Sequence, residues 1–328
     1  MSMRAVIQGV GHAVPGTVLT NRDLEARVDT TDEWIVQRTG IRERRISTTD
    51  ESTFTWALQA SQRALESAQI EAQELDLVVC GTVTPDMLFP ATACLVQDAI
   101  GAHRAGAYDL GAACAGFIYS LATASAMIES GAAQTALVIG ADTLSKYIDW
   151  NDRATCILFG DGAGAVVLRG EKDTDRGVVK TVLLSDGSGG RHINIAGGGS
   201  RVPYGSPRWD ETSKFIYMAG SEVYRFAVTA MGDACCRALE LAGLSDTDID
   251  LFVPHQANLR IIESAAKRLK LPPEKVFINV ERMGNTSGGS IPIGLSEAQA
   301  AGRLKKGDLV MTVGFGAGLV WGANLIRW

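Results

Sequence analysis

The sequence predicts an α/β protein built of two pseudo-symmetric halves, stacked as layered helices and mixed sheets, and three observations carry that prediction. A block of sequence recurs: Ala64, Leu65, Glu66, Ala68, Asp76, Leu77 and Val79 reappear 174 residues later as Ala238, Leu239, Glu240, Ala242, Asp250, Leu251 and Val253. The same spacing carries Leu121 onto Leu295, Ala124 onto Ala298 and Gly140 onto Gly314. Each half then reads as apolar strand, helix, apolar strand, helix, apolar strand. Finally, the strand runs are continuous and rich in β-branched residues, the pattern of parallel-type strands covered on both faces. The halves are expected to span residues 1–172 and 173–328.

In the first half the strands are expected at residues 4–9, 75–80 and 135–140. In the second they fall at 178–183, 249–253 and 309–314. Between them, residues 110–128 carry no charge. A helix uncharged on every side is a membrane span or a buried core helix. This one is mostly Ala, Gly, Ser and Thr, too weakly hydrophobic for lipid, so the buried helix is expected. Gly160 to Ala165 and Gly9 to Gly11 resemble phosphate loops, but neither completes G-x-G-x-x-G. Both are expected to be tight strand turns, and a nucleotide-dependent dehydrogenase is rejected.

Composition narrows the function classes. The 328 residues are 46% hydrophobic and 21% charged, with a net charge of −6, so nothing draws the whole molecule toward nucleic acid or an anionic membrane. The six cysteines at 80, 94, 114, 156, 235 and 236 show no paired metal spacing and suit a reducing compartment, the cytoplasm. The opening residues lack a signal-like apolar stretch and read as the first strand. His12 and His192 are expected in glycine-rich turns and His103 precedes Arg104, which marks all three as expected surface groups.

The duplication also marks where the halves differ. At a spacing of 174, Cys114 faces Gly288, His255 faces Gly81, and Asn285 faces Gly111. A reactive side chain in one half meets glycine in the other. Cys114 sits where strand-like residues give way to the uncharged helix, a position that lends a thiol thiolate character and offers free N–H groups to an oxyanion. Taken singly, each residue has a plainer reading: Cys114 as a small core residue, His255 as a satisfied strand-end histidine, Asn285 as a turn or cap.

The motifs Asp109 to Phe117, His255-Gln-Ala-Asn-Leu-Arg260 and Gly284-Asn-Thr-Ser287 resemble the three catalytic signatures of the β-ketoacyl-acyl carrier protein synthase III family. So do Asp32 to Arg42 and Phe315-Gly-Ala-Gly-Leu-Val-Trp-Gly322, and the likeness runs the length of the chain. The resemblance implies a duplicated thiolase-like fold and a two-stage acyl condensation. Cys114 would take an acyl group from acyl-coenzyme A, with the N–H groups of Cys114 and Ala317 as oxyanion hole. Malonyl-acyl carrier protein would lose CO₂, and its carbanion would attack the acyl-Cys114 thioester while His255 and Asn285 hold the enolate-like oxygen. No metal or other cofactor is implied. Where many family members have Gly, this chain has Ala317; where they have Ala, it has Gly288 and Gly289.

Further roles follow from the same likeness. Trp34, Arg38 and Arg153 are expected to hold the adenine and phosphate end of coenzyme A. Phe89, Leu144 and Phe159 would line the acyl pocket, Phe89 reaching across a homodimer. A helix expected over 257–270 turns Leu259, Ile262, Ala266 and Leu269 to one side and Arg260, Ser264, Lys267 and Arg268 to the other. With Arg225, its basic residues would dock the acidic carrier protein at the mouth of the site. Residues 187–213, rich in Gly, Pro and Arg, carry no assigned role. Two rival classes stay open on residue types alone. One is a thiol hydrolase, because the order Cys, His, Asn also suits papain-like chemistry. The other is a noncatalytic binding protein. A closer rival is a homologous enzyme that uses a different acceptor.

Overall fold

The computed structural model describes residues 3–328. Strand β1 (Met3–Ala13) opens it, and the short β2 (Val18–Thr20) and β3 (Glu43–Arg45) pair around helices α1 (Asn21–Glu25) and α2 (Asp32–Thr39). The chain continues through α3 (Thr53–Ala68), β4 (Leu77–Gly81), α4 (Thr92–Ala99), β5 (Gly106–Leu110), α5 (Gly116–Glu129), β6 (Thr135–Asp142), α6 (Arg153–Cys156) and β7 (Gly162–Lys172). Next come β8 (Gly177–Ser185), β9 (Ile193–Ile195), β10 (Ile216–Met218), α7 (Gly220–Ala242), β11 (Leu251–Pro254) and α8 (Leu259–Arg268). The last elements are α9 (Val280–Met283), α10 (Ser290–Ala300), β12 (Leu309–Gly316) and β13 (Val320–Arg327).

Two mixed sheets result. The first has the strand order β1-β7-β6-β4-β5, and the second β11-β12-β13-β8. In both, a parallel pair (β4 with β6, β11 with β12) is flanked by an antiparallel partner, β7 or β13. Helices α5 and α10 lie between the sheets, in one apolar cluster that joins Phe117, Leu121 and Leu295 to Val138, Val166 and Val310. Helix α3 covers the outer face of the first sheet, and α7 and α8 cover that of the second. Most of α5 is buried by this central position, with only Ala126 and the terminal Glu129 exposed, and no helix among the described residues is long and apolar enough to cross a membrane.

As far as the ends of β6 and β12 the repeat survives in three dimensions to the residue, whereas their antiparallel partners β7 and β13 fall out of that register. Single turns of 3₁₀ helix at Ala113–Ala115 and Ser287–Gly289, the starts of α5 and α10, and the spans of β6 and β12 are each offset by 174. So are two residues with left-handed backbone, Ala113 at φ 44° and Ser287 at φ 49°.

Two expectations need correction. Gly9 to Gly11 lies inside β1, and Gly162 to Ala165 begins β7; neither is a turn. The glycines serve close helix packing instead. A Cβ at Gly9 would collide with the backbone of Ala68 in α3, and one at Gly164 would lie 2.5 Å from Ile293 N in α10. His12 is likewise not in a turn. It sits in β1, half-buried, with Nδ1 2.9 Å from Ser296 Oγ. His103 is exposed, and His192, at the end of a 3₁₀ turn, is half-buried.

Candidate active site

Cys114, His255 and Asn285 line one cavity. Each is delivered by a different element. Cys114 lies in the 3₁₀ turn that precedes α5. Its backbone rests against Gly316 at the end of β12, where a Cβ would come within 2.5 Å of Cys114 N. His255 follows β11 and is pinned by its own N–H, which donates to Val313 O at 2.8 Å. Its ring meets Phe315 edge-on at 5.7 Å. Asn285 is held by Asn285 N donating to Leu158 O at 2.9 Å and by Gly160 N donating to Asn285 O at 3.0 Å. Its side-chain Oδ1 accepts from Ser287 N at 2.9 Å, which fixes the carboxamide and leaves its NH₂ to be offered elsewhere.

The electrostatics differ from the sequence expectation of a thiolate. Burial pushes the Cys114 thiol up to about 12, against a smaller downward pull from the Ser287 hydroxyl, which donates to Sγ at 3.2 Å. That rise is worth roughly 4 kcal/mol, more than the ~0.3–1 kcal/mol a helix dipole supplies. Burial also drives His255 down to about 3, and its Nδ1 is buried without a hydrogen-bond partner. The pair is therefore a thiol and a neutral imidazole across the neutral range. His255 works here as a hydrogen-bonding group and not as a cation.

Cys114 stands between two spaces. One runs past Tyr224, Asn258 and Ile261 to the surface beside α8. The other is lined almost wholly by apolar side chains, among them Val83, Leu144, Phe159, Ile193, Ile195 and Ile216, and Ala317 lines it too. Leu144 and Phe159 both line this apolar space. Phe89 does not: it is 83% exposed, next to Leu88 at 82%. The 187–213 segment acquires a place, because β9 pairs with β10 and their isoleucines wall the apolar space.

At the surface the guanidinium of Arg38 lies 4.1 Å and that of Arg153 4.7 Å from the centre of the Trp34 ring. Asn258 Nδ2 donates to Arg38 O at 2.9 Å, which ties this cluster to the N-terminus of α8. Along α8, Arg260, Lys267 and Arg268 are exposed, while Ile261, Ile262, Ala265 and Ala266 are buried. Arg260 stacks over Tyr224 at 5.1 Å, Arg268 pairs with Asp233 at 3.2 Å, and Arg225 pairs with Glu222.

Two polar residues at the site escaped the sequence reading. Ser287 touches the nucleophile although the motif singled out its neighbour Asn285. Gln256 is fully buried beside His255. Its side chain donates to Pro254 O and Phe277 O at 3.0 Å and accepts from Asn279 N at 3.0 Å and Val280 N at 3.2 Å. One amide thus binds the His255 strand end to the segment that leads into Asn285.

The chain is similar to known proteins over its whole length. The family described as 3-oxoacyl-[acyl-carrier-protein] synthase III matches residues 108–187, and its C-terminal counterpart matches residues 239–328. A β-ketoacyl-[acyl-carrier-protein] synthase III from Symbiobacterium thermophilum is 52% identical, covering 100% of this chain and 99% of its own. The solved synthase III of Thermus thermophilus is 50% identical with a TM-score of 0.91 over 98% of each chain. The priming β-ketosynthase of the R1128 polyketide pathway is 36% identical, with a TM-score of 0.92 over 99% of this chain and 96% of its own.

The protonation state of the free enzyme is directly measurable. With the Cys114 thiol near 12, the thiolate fraction grows tenfold per pH unit below that value. Alkylation of Cys114 by iodoacetamide, followed by peptide mass spectrometry, is therefore expected to accelerate about tenfold per unit from pH 6 to 10 without levelling. A plateau setting in near pH 8 would show a stabilised thiolate instead.

Proposed function

The chain belongs to the 3-oxoacyl-[acyl-carrier-protein] synthase III family and is an acyltransferase of that type, and from this premise we propose how its residues divide the reaction. It condenses acyl-coenzyme A with malonyl-acyl carrier protein to give β-ketoacyl-acyl carrier protein, CO₂ and coenzyme A, the step that initiates fatty-acid synthesis. The sulfur of Cys114 attacks the acyl carbonyl, the thioester bond to coenzyme A breaks, and coenzyme A leaves as a thiol with the proton Cys114 gives up. Malonyl-carrier protein then loses CO₂. The carbanion attacks the acyl-Cys114 carbonyl, forming the carbon–carbon bond and releasing Cys114 as thiolate. The observation that carries this reading is the position of Cys114 between an apolar space and a channel to the surface, with His255 and Asn285 in the same cavity.

The residue types fit the steps. A neutral imidazole and a carboxamide each have an N–H to give to the thioester oxygen as it becomes enolate-like, and a base as weak as His255 suits that donor role. The N–H groups of Cys114 and Ala317 receive the oxyanion of the acyl transfer. Trp34, Arg38 and Arg153 grip the adenine and phosphates by stacking and ion pairing. Intact-mass measurement after acyl-coenzyme A tests the scheme. A stable adduct on Cys114 is expected in wild type and none in Cys114→Ser, whose hydroxyl is far less acidic. His255→Ala and Asn285→Ala should still form the adduct but decarboxylate malonyl-carrier protein about a hundredfold or more slowly. Normal decarboxylation with lost acylation would reverse the assigned roles, and rapid release of free acid by wild type would mean a hydrolase.

The active unit in this reading is a homodimer. Val83, Met87, Leu88 and Phe89 form an exposed apolar group beside the edge strand β5, a surface that a second copy would cover. Phe89 then closes the partner's acyl pocket. Phe89→Ala is expected to admit longer acyl primers. An unchanged chain-length profile, or a monomer by sedimentation, would count against it.

Carrier-protein docking falls to Arg260, Lys267, Arg268 and Arg225 on a chain that is net negative. Of these, Arg260 is nearest the mouth, through Tyr224. Rim charges act chiefly on association and on its salt dependence. Arg260→Glu should raise KM for malonyl-carrier protein severalfold at low salt, less at high salt, and leave acylation by acyl-coenzyme A almost unchanged. Equal damage to both half-reactions, or damage indifferent to salt, would place docking elsewhere.

A further inference from the structure

The two halves carry two copies of one backbone cradle, filled in different ways. The reactive cradle joins the N–H of Cys114, from the first half, to that of Ala317, from the second. The residues 174 away are Gly288 (288 − 114 = 174) and Thr143 (317 − 143 = 174). Gly288 N donates to Asp142 Oδ2 at 2.9 Å, and Thr143 N donates to Thr84 Oγ1 at 2.9 Å. The counterpart of Asp142 is Gly316 (316 − 142 = 174), the residue whose missing side chain lets it lie against Cys114 N. One cradle is closed by an internal carboxylate, and its twin is left open by a glycine.

Asp142 is wholly buried. Its Oδ1 accepts from Thr82 Oγ1 at 3.0 Å, Val83 N at 2.9 Å, Thr84 N at 3.2 Å and Thr84 Oγ1 at 2.9 Å. Through Oδ2 the same carboxylate grips Gly288 N, so it ties the segment after β4 to the turn Ser287–Gly289. That turn holds Ser287 at φ 49°, a conformation strained for a non-glycine residue and kept only where its surroundings enforce it. So held, Ser287 directs its hydroxyl to Cys114 Sγ at 3.2 Å.

We propose that Asp142 is a positioning residue for the nucleophile. By filling the silent cradle it fixes the Ser287 turn, and Ser287 donates to Cys114 a hydrogen bond that strengthens as the sulfur gains negative charge. Ser287, in contact with the reacting atom, is then a further catalytic residue. The inference rests on Cys114 as nucleophile. Its chemistry is an ordinary charge-assisted hydrogen bond, which supports an anionic sulfur better than a neutral one.

The test is the initial rate of Cys114 alkylation by iodoacetamide at fixed pH, in wild type, Ser287→Ala, Asp142→Asn and the double variant, with thermal unfolding recorded for each. A hydrogen bond to a charged group contributes about 1.5–3 kcal/mol, so Ser287→Ala is expected to slow alkylation about tenfold or more. Asp142→Asn should slow it similarly, and the double variant should be no slower than the worse single one, because both changes remove the same bond. Ser287→Gly adds a readout that a merely structural role would not give: relief of the positive φ should raise the melting temperature while alkylation still slows. Should Asp142→Asn fail to fold, Thr84→Val loosens the same clamp with its charge intact and should slow alkylation severalfold. Faster alkylation in Asp142→Asn would mean that the carboxylate acts only by repelling the thiolate. Additive losses in the double variant, or wild-type rates in Ser287→Ala, would equally overturn the proposal. Acyl-coenzyme A is assayed separately. Failure of wild type to form an acyl adduct would sink the proposed condensation and leave the alkylation result standing.

Discussion

Contact of backbone with backbone, with no side chain between, is the constraint on which this molecule is built. At Gly140 in β6 a Cβ would collide with the carbonyl of Gly288, and at Gly81 in β4 one would lie 2.6 Å from Gly116 C. The second half repeats the approach more loosely, Gly314 standing 3.4 Å from Cys114 O by the same measure. Both central helices therefore begin seated directly on the strands. The turns at their starts, one bearing Cys114 and the other Ser287, are brought together because nothing bulkier than hydrogen separates them from the sheets. Interiors pack densely enough that an added methyl there must move its neighbours. What would move is the turn that aligns Asn285 and Ser287.

Much of this was legible in the sequence, for a physical reason. A duplicated chain that keeps its register keeps its strands and helix starts in register too, so the 174-residue offset read from Ala64 and Ala238 reappears in β6 and β12 without a slip. Strands β5, β7 and β13 are not among those expected, and β7 opens on glycines that depress strand propensity and mimic a loop. Their purpose lies in α10, over 120 residues away. The reactive trio could be read because glycine stood opposite each member. Ser287 and Asp142 broke the symmetry as well, against Ala113 and Gly316, but small or acidic residues at strand and helix ends are common enough to pass unremarked. Gln256 shows the same blindness: a buried amide with every hydrogen-bonding group satisfied looks, in sequence, like any polar residue after a strand.

The access side of the site follows a different physics from its floor. Trp34 is flanked by Arg38 and Arg153 before any ligand arrives, and Arg38 is anchored through Asn258 to the helix that starts just past His255. Both guanidinium groups already lie on the indole, so a planar guest that stacks there must displace one of them and exchange one stacking contact for another. The floor is apolar and offers only a few hydrogen-bond donors. A space walled by Leu144, Phe159 and the isoleucines of β9 and β10 can therefore select a guest only by shape.

The protonated state of Cys114 has a bearing on how the protein endures an idle cell. Peroxide attacks thiolates, carrying them to sulfenic acid and then to forms that no ordinary thiol can rescue. A sulfur held as a thiol, largely buried and under the Ser287 hydroxyl, climbs that ladder slowly. Reactivity is thereby reserved for the moment when a thioester fills the cavity, and the burial that makes the nucleophile hard to ionise also lengthens its service life.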